Sequence, residues 1–253
     1  MRQTLRRWLR GNDAIEEIGP VSYGYEVIEG EIPLELVHGW RDPMVAERQH
    51  TAFVPLLRQM YKGKPREDFI AVATAVQTTG VEDPLLIEIG CGSGWVSEVL
   101  THLLKRPVRY VGLDYSRAMT ALGKRCYPDL PFIVGDATVL PFQDGACDIL
   151  LSGTVLMHML GYREAISESR RVTRRWCIFH TVPIAQQRPT TLLRKFAYGS
   201  PVIEVVFNVE EFLKLIEMNG FALHHVLESI PHNYLSQILD EPISTRTYVC
   251  EIT

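Results

Sequence analysis

The chain of 253 residues has no C-x-x-C pair, no internal repeat, no low-complexity tract and no apolar run long enough to span a bilayer. Its five cysteines, Cys91, Cys126, Cys147, Cys177 and Cys250, are scattered and mostly fall in or beside apolar segments, so they read as buried reduced thiols of a cytoplasmic protein. The four arginines within Met1–Arg10 lead into no apolar segment, and neither a secretory signal nor a membrane span is expected. A net charge of −4 provides no overall basic field for a long nucleic acid. The pair His224-His225 has no third ligand in view, so no metal site is expected.

What is present suits one large α/β domain with an appendage, because 46% of the residues are hydrophobic and 22% charged. The most informative stretch is Leu85-Leu86-Ile87-Glu88-Ile89-Gly90-Cys91-Gly92-Ser93-Gly94. An apolar strand ends in an acidic residue, passes through three glycines spaced two apart, and enters a helix predicted over Trp95–Leu104. Glycine tolerates positive φ, and its bare backbone lets a ligand approach a helix N-terminus. Two more acidic strand ends follow. Val108–Leu113 ends in Asp114, and Phe132–Val134 ends in Gly135-Asp136-Ala137, so Glu88, Asp114 and Asp136 share one sheet edge.

Further along, strands are predicted at Cys147–Leu151, Trp176–Val182, Phe221–Leu227 and Thr247–Ile252, alternating with helices at Ser116–Cys126, Arg163–Thr173 and after Asn208. Alternation of this kind predicts a parallel sheet covered on both faces. Asn208 and Glu211 have the spacing of a capping box. Asp42-Pro43 starts a helix that runs to Met60, a second covers Glu67–Thr78, and Thr4–Leu9 has the pattern of a short basic amphipathic helix. Ile18–Val37 has no firm period. The division expected is a helical extension over residues 1–64, a candidate acceptor cap, and a core over residues 65–253.

As a set, the glycine turn and the acidic strand ends resemble the class I S-adenosylmethionine-dependent methyltransferases, strongly over residues 84 to 182. The resemblance implies a Rossmann-like, doubly wound, mostly parallel seven-stranded sheet with an antiparallel last strand. It also implies S-adenosylmethionine as cofactor, with Asp114 on the ribose hydroxyls and Asp136 with Ala137 at the adenine. The full implied cofactor set is Glu88, Gly90, Cys91, Gly92, Gly94, Asp114, Tyr115, Asp136, Ala137 and Ser152. One departure is Arg174-Arg175-Trp176, where many relatives have a lysine-proline-glycine-glycine turn. The rival reading, a dinucleotide-binding oxidoreductase, needs G-x-G-x-x-G, whereas here Gly94 arrives one residue early and Trp95 follows.

Methyl transfer requires donor and acceptor at near contact and, for a hydroxyl, removal of a proton. The acceptor is expected at the carboxyl ends of the fourth and fifth strands, which points to His158 and His180 as candidate bases. Each is open between that role and a core histidine bonded to backbone. Ser152-Gly153-Thr154 stands where relatives that methylate exocyclic base amines have Asn or Asp followed by Pro-Pro and an aromatic, and no segment interleaves aromatic and basic residues. Nucleic acid is therefore disfavoured and a small-molecule acceptor favoured. Gln186–Val206 reads either as an acceptor lid or as a surface helix with a linker. Arg48 and Gln49 are candidates to cover the cofactor's amino-acid end, and Tyr23 and Tyr25 are candidates for the acceptor side. The expected function is methylation of a small polar acceptor, at oxygen, in sugar, glycoside or natural-product metabolism. The alternative is a cofactor-binding partner or regulatory subunit without turnover.

Overall fold

Successive residues of the central strands are buried in two different cores, which shows why the apolar runs become a sheet covered on both faces. The structure, a computed structural model, describes residues 21–253; the expected Thr4–Leu9 helix lies outside them. In β2 (Leu85–Ile89), which follows β1 (Ser22–Val27) in the chain, Ile87 and Ile89 enter one hydrophobic core while Leu86 enters the other. Leu150 and Ile149 divide in the same way in β5 (Cys147–Gly153), as do Cys177 and Ile178 in β6 (Thr173–Ala185). A strand buried on both faces reads as a continuous apolar run, and these do.

β3 (Arg109–Asp114) lies beside β2, and β4 (Phe132–Val134) beside β3, all parallel, with β5 and β6 on the other side of β2. β10 (Ser244–Ile252) runs antiparallel between β6 and β9 (Phe221–Pro231). Those seven strands form the expected sheet, including its antiparallel last strand. The helices that cross over it are α4 (Trp95–Leu104), α5 (Arg117–Cys126), α6 (Tyr162–Val172) and α7 (Val209–Met218).

Three strands extend this sheet. β7 (Thr191–Ala197) and β8 (Ser200–Asn208) form an antiparallel hairpin, β1 (Ser22–Val27) pairs with β7, and β8 joins the end of β6 through Ile184 and Ala185. The Gln186–Val206 segment is thus a sheet extension, and neither a surface helix nor a plain linker. Its turn residues Tyr198 and Gly199 both have positive φ, 51° and 84°, the backbone twist that suits a two-residue hairpin loop. The N-terminal extension is accordingly not helical throughout. After β1 it contains α1 (Leu34–His38), one 3-10 turn (Gly39–Arg41) and α2 (Pro43–Tyr61). Asp42 caps α2 by accepting the Met44 amide at 2.9 Å, and Pro43 occupies the first turn.

α3 (Glu67–Thr78) matches its predicted bounds, and α8 (Asn233–Leu239) is an element that periodicity did not reveal. Asn208 caps α7 by accepting the amides of Glu210 and Glu211. The Glu211 carboxylate does not close the capping box; it turns outward to accept the amide and hydroxyl of Thr190. Both His224 and His225 are exposed, where one was expected in the core, because this part of β9 covers the sheet only through Phe221 and Leu227. No helix among the described residues is long and apolar enough to cross a membrane.

Candidate active site

Gly90, Gly92 and Gly94 have φ of +67°, +54° and +81°, so the turn between β2 and α4 runs through the left-handed region at alternate residues. Only glycine adopts that path without strain. The turn is pinned from the next strand: the Gly92 amide donates to Asp114 Oδ2 at 2.9 Å and the Ser116 amide to Oδ1 at 2.8 Å. Burial pushes the Asp114 carboxyl up to about 6, against the opposing pull of those two amides. Glu88 is 1% exposed and accepts the Tyr110 hydroxyl. Burial raises its carboxyl well above the ordinary range.

A cavity of about 630 Å³ opens at the carboxyl ends of β2 to β6. Glu88, Gly90, Cys91, Gly92, Asp114, Tyr115, Asp136 and Ala137 all lie on its wall. Asp136 Oδ1 already accepts the amide and hydroxyl of Thr138, which fixes the loop after β4. Gly94 and Ser152 are not on the wall. A Cβ at Gly94 would come within 2.5 Å of the Phe132 ring, so this glycine serves close packing of α4 on the sheet. Ser152 is buried within β5, paired with Ile89 and Phe179.

The two histidines separate. His158, on a 3-10 turn (Leu156–His158), lines the cavity, with its Nδ1 3.0 Å from the Ile203 carbonyl and its ring tilted against Trp40 at 4.8 Å. A carbonyl cannot donate, so Nδ1 holds the proton of the neutral ring and Nε2 is the accepting nitrogen. Burial, with Lys195 adding to it, lowers His158 to about 4. His180 departs from the placement expected of it. It is 2% exposed, bonds Thr247 Oγ1 through Nδ1 at 2.8 Å, and has Nε2 buried without a hydrogen-bond partner among the described residues. Thr181, the next residue, takes the position on the wall instead.

Of the candidates offered for the cavity rim, Gln49 and Tyr25 lie on the wall, and Arg66 and Asp68 are wall residues that escaped the sequence. Gln49 packs over the glycine turn, where a Cβ on Gly92 would come within 2.8 Å of its Oε1, and that oxygen is buried without a hydrogen-bond partner among the described residues. Arg48 turns away from the cavity and donates to the Tyr198 carbonyl. Arg66 and Asp68 lie on the wall beside Gln49, fork-paired through Arg66 Nε at 2.6 Å, with the guanidinium over the rings of Phe53 and Phe69. Pro65 before a helix start was their only signal. Tyr23 stacks on Phe196 at the exposed side of the hairpin, whereas Tyr25 reaches the cavity.

The far lobe of the cavity is walled by the extension. Lys195 on β7 and Glu204 on β8 form an ion pair and are 6% and 1% exposed. The Lys195 ammonium sits 5.2 Å from the Tyr25 ring centroid, and Tyr25 packs against Tyr234 at 5.3 Å and His232 at 5.9 Å. Burial opposes both charges, yet their mutual attraction holds Lys195 above and Glu204 below their ordinary values. Between the two lobes lie Thr154 and Thr181, with hydroxyls 2.6 Å apart.

The wall fits S-adenosylmethionine. Asp114 and Asp136 offer carboxylate oxygens of the kind that hydroxyl and amino donors of an adenosyl group need, and the orphaned Gln49 Oε1 suits an ammonium. Acidic groups suit a cationic sulfonium and would repel a pyrophosphate.

The family described as Methyltransferase domain matches residues 87–179. Demethylmenaquinone methyltransferase of Renibacterium salmoninarum is 35% identical over 89 residues, 35% of this chain and 36% of that protein. Phthiotriol/phenolphthiotriol dimycocerosates methyltransferase of Mycobacterium tuberculosis is 34% identical over 119 residues, 46% of this chain and 42% of that protein. The chain therefore aligns with less than half the length of these curated relatives. Among solved structures, 1,6-didemethyltoxoflavin-N1-methyltransferase of Burkholderia thailandensis, with 1,6-didemethyltoxoflavin and S-adenosylhomocysteine bound, shares the fold at a TM-score of 0.57. It is 14% identical, and the match covers 90% of this chain and 95% of that one. Residues 87–179 thus match a methyltransferase domain, and the strand order and the glycine turn give the chain the fold of the class I S-adenosylmethionine-dependent methyltransferases.

Proposed function

We propose that the protein is an enzyme that moves a methyl group from S-adenosylmethionine to an oxygen of a small polar acceptor, of the kind met in sugar, glycoside or natural-product metabolism. The observation that carries this reading is one continuous cavity with the glycine turn and Asp114 at one end and His158 and the Lys195–Glu204 pair at the other. The curated relatives are by name demethylmenaquinone and phthiotriol or phenolphthiotriol dimycocerosates methyltransferases, which supports a small-molecule or lipid acceptor over a nucleic acid. Five free thiols support a cytoplasmic location.

The cofactor, when bound, supplies an electrophilic methyl on a sulfonium. The chain's part is to position and to manage a proton. Asp114 and Asp136 orient the adenosyl part, and Gln49 closes over the turn from α2. Residues of the extension, including Tyr25 and Trp40, act as the acceptor cap and exclude water. His158 is neutral at pH 7 and offers Nε2 to an acceptor hydroxyl, so no prior deprotonation of the base is needed.

The test is incubation with methyl-labelled S-adenosylmethionine and a panel of hydroxylated acceptors. Transfer of label to oxygen is expected. Cofactor binding without transfer across the panel would overturn the reading in favour of a non-catalytic partner.

A further inference from the structure

The extension of the sheet does more than cover the cavity. β1, β7 and β8 bring a lysine, a glutamate and a tyrosine to a place that the seven-stranded core does not reach, and they hold them out of water. Burying an ion pair costs desolvation that pairing recovers only in part, and an apolar pair of equal volume would pack the same space at no such cost. Lys195 follows Leu193 and precedes Ala197 on the buried side of β7, so it occupies an apolar position in the strand's alternation. Its charge is therefore matched to something other than packing. Both partners face the cavity, and each keeps hydrogen-bonding capacity beyond the other, since an ammonium has three donors and a carboxylate room for about four acceptors' worth of bonds.

We propose that this lobe is a specificity subsite for an uncharged, hydroxyl-bearing aromatic ring, with Glu204 accepting from a ring hydroxyl and Lys195 donating to a second oxygen on the same molecule. The inference rests on the methyltransferase reading and narrows its acceptor class. The pair is neutral as a whole. Lysine is compensated by Glu204 and cannot serve as the counter-ion of an anionic acceptor; a carboxylate placed there would meet the Glu204 charge at short range in a low-dielectric site. A cationic acceptor meets the Lys195 ammonium and the cofactor's sulfonium together. His158 and His232, the two histidines on the cavity wall, are both held neutral by burial and add no charge at pH 7. The walls favour a planar ring. Tyr25 and Tyr234 stand as a tilted pair, Trp40 lies between His158 and Tyr198 at 4.8 and 6.0 Å, and flat faces of this kind accept a ring at offset or edge-on geometry.

Lys195 and Glu204 are thus specificity residues, and the experiment reads charge discrimination instead of turnover. The protein is saturated with S-adenosylhomocysteine, and binding of three compounds sharing one phenol ring is measured by titration calorimetry: neutral 4-hydroxyacetophenone, anionic 4-hydroxybenzoate and cationic tyramine. The neutral compound is expected to bind at least about tenfold more tightly than either ion, the scale of one charge-assisted hydrogen bond. In a Lys195→Met/Glu204→Leu variant, which removes both charges at once, S-adenosylhomocysteine affinity is expected to be unchanged and affinity for the neutral compound to fall by about tenfold. Should that variant not fold, Tyr25→Phe in its place is expected to weaken the neutral compound several-fold through loss of the hydroxyl beside Lys195. Equal or tighter binding of either ion, no binding of the neutral compound to the wild type, or a double variant that binds it as the wild type does would each overturn the proposal. Failure of S-adenosylhomocysteine itself to bind would instead overturn the methyltransferase reading.

Discussion

Thr154 and Thr181 face each other across the ends of β5 and β6 with hydroxyls 2.6 Å apart, and both have left-handed backbones, φ +60° and +54°. Thr181 also donates to the carbonyl of His180, so the proton between the two hydroxyls comes from Thr154, whose lone pairs remain available to a ligand. β-branched residues rarely occupy that region, and such strain concentrates at functional sites. Replacing Thr154 by Gly should relieve about 1 kcal/mol of backbone strain, offset by a similar loss of hydrogen bonding and gain in chain freedom, so stability stays nearly level. Turnover should nonetheless fall several-fold. Thermal unfolding and steady-state rates, measured on one preparation, check the pair of outcomes.

Two glycines of one turn should respond differently. Gly94→Ala places a Cβ at 2.5 Å from the Phe132 ring with φ at +81°, so the loss should be in stability, about 2 kcal/mol or more. Gly92→Ala meets only the end of the Gln49 side chain, costs about 1 kcal/mol in stability, and should lose more in cofactor affinity than in folding. Urea unfolding and calorimetric binding of S-adenosylhomocysteine to both variants distinguish the two.

His180 gives the protein a defined pH response. Burial depresses its folded value to about 4 from 6.5, so between those values the unfolded chain takes up a proton that the native state refuses. Its contribution is complete above pH 6.5 and is lost as the pH falls toward 4. His158 acts in the same direction, whereas Asp114, raised from 3.8 to about 6, contributes stability that is lost as the pH rises through that window. In His180→Gln, the slope of unfolding free energy between pH 4.5 and 6 should drop by about 1.4 kcal/mol per unit at most, the value of one proton. An unchanged slope in urea titrations would show that His180 is protonated in the native state.

The proton-removing role of His158 is separable from its packing. His158→Phe keeps a ring against Trp40 and removes the accepting nitrogen, so turnover should fall by about two orders of magnitude while S-adenosylhomocysteine affinity holds within about twofold. A single-turnover rate equal to that of the wild type would leave positioning as the whole of the protein's contribution.

The core was legible because its strands are buried on both faces and each announces its end with an acid or a glycine: Glu88 before Gly90, Asp114, then Gly135-Asp136. The predicted bounds of α3 and α4 match those of the structure. The extension was not legible, because β1 pairs with a strand that comes far later in the sequence, and because Lys195 and Glu204 put charged residues at inward positions of β7 and β8. Tyr198-Gly199 did carry a hairpin signal, and period-two alternation through Leu193, Lys195 and Ala197 would have placed the lysine inside. His180 could not be separated from Thr181 as the cavity-facing residue, since a left-handed threonine at a strand end leaves no mark in the sequence. Gln49 was singled out from the start of α2, whereas Arg66 reaches the site through the way α3 docks on the glycine turn.

The most direct measurement is titration calorimetry of S-adenosylhomocysteine into the wild type and Asp114→Ala. One-site binding by the wild type is expected, with a loss of about 10- to 100-fold on removal of the carboxylate and no heat from nicotinamide dinucleotide. No heat from S-adenosylhomocysteine, or undiminished affinity in Asp114→Ala, would contradict that expectation.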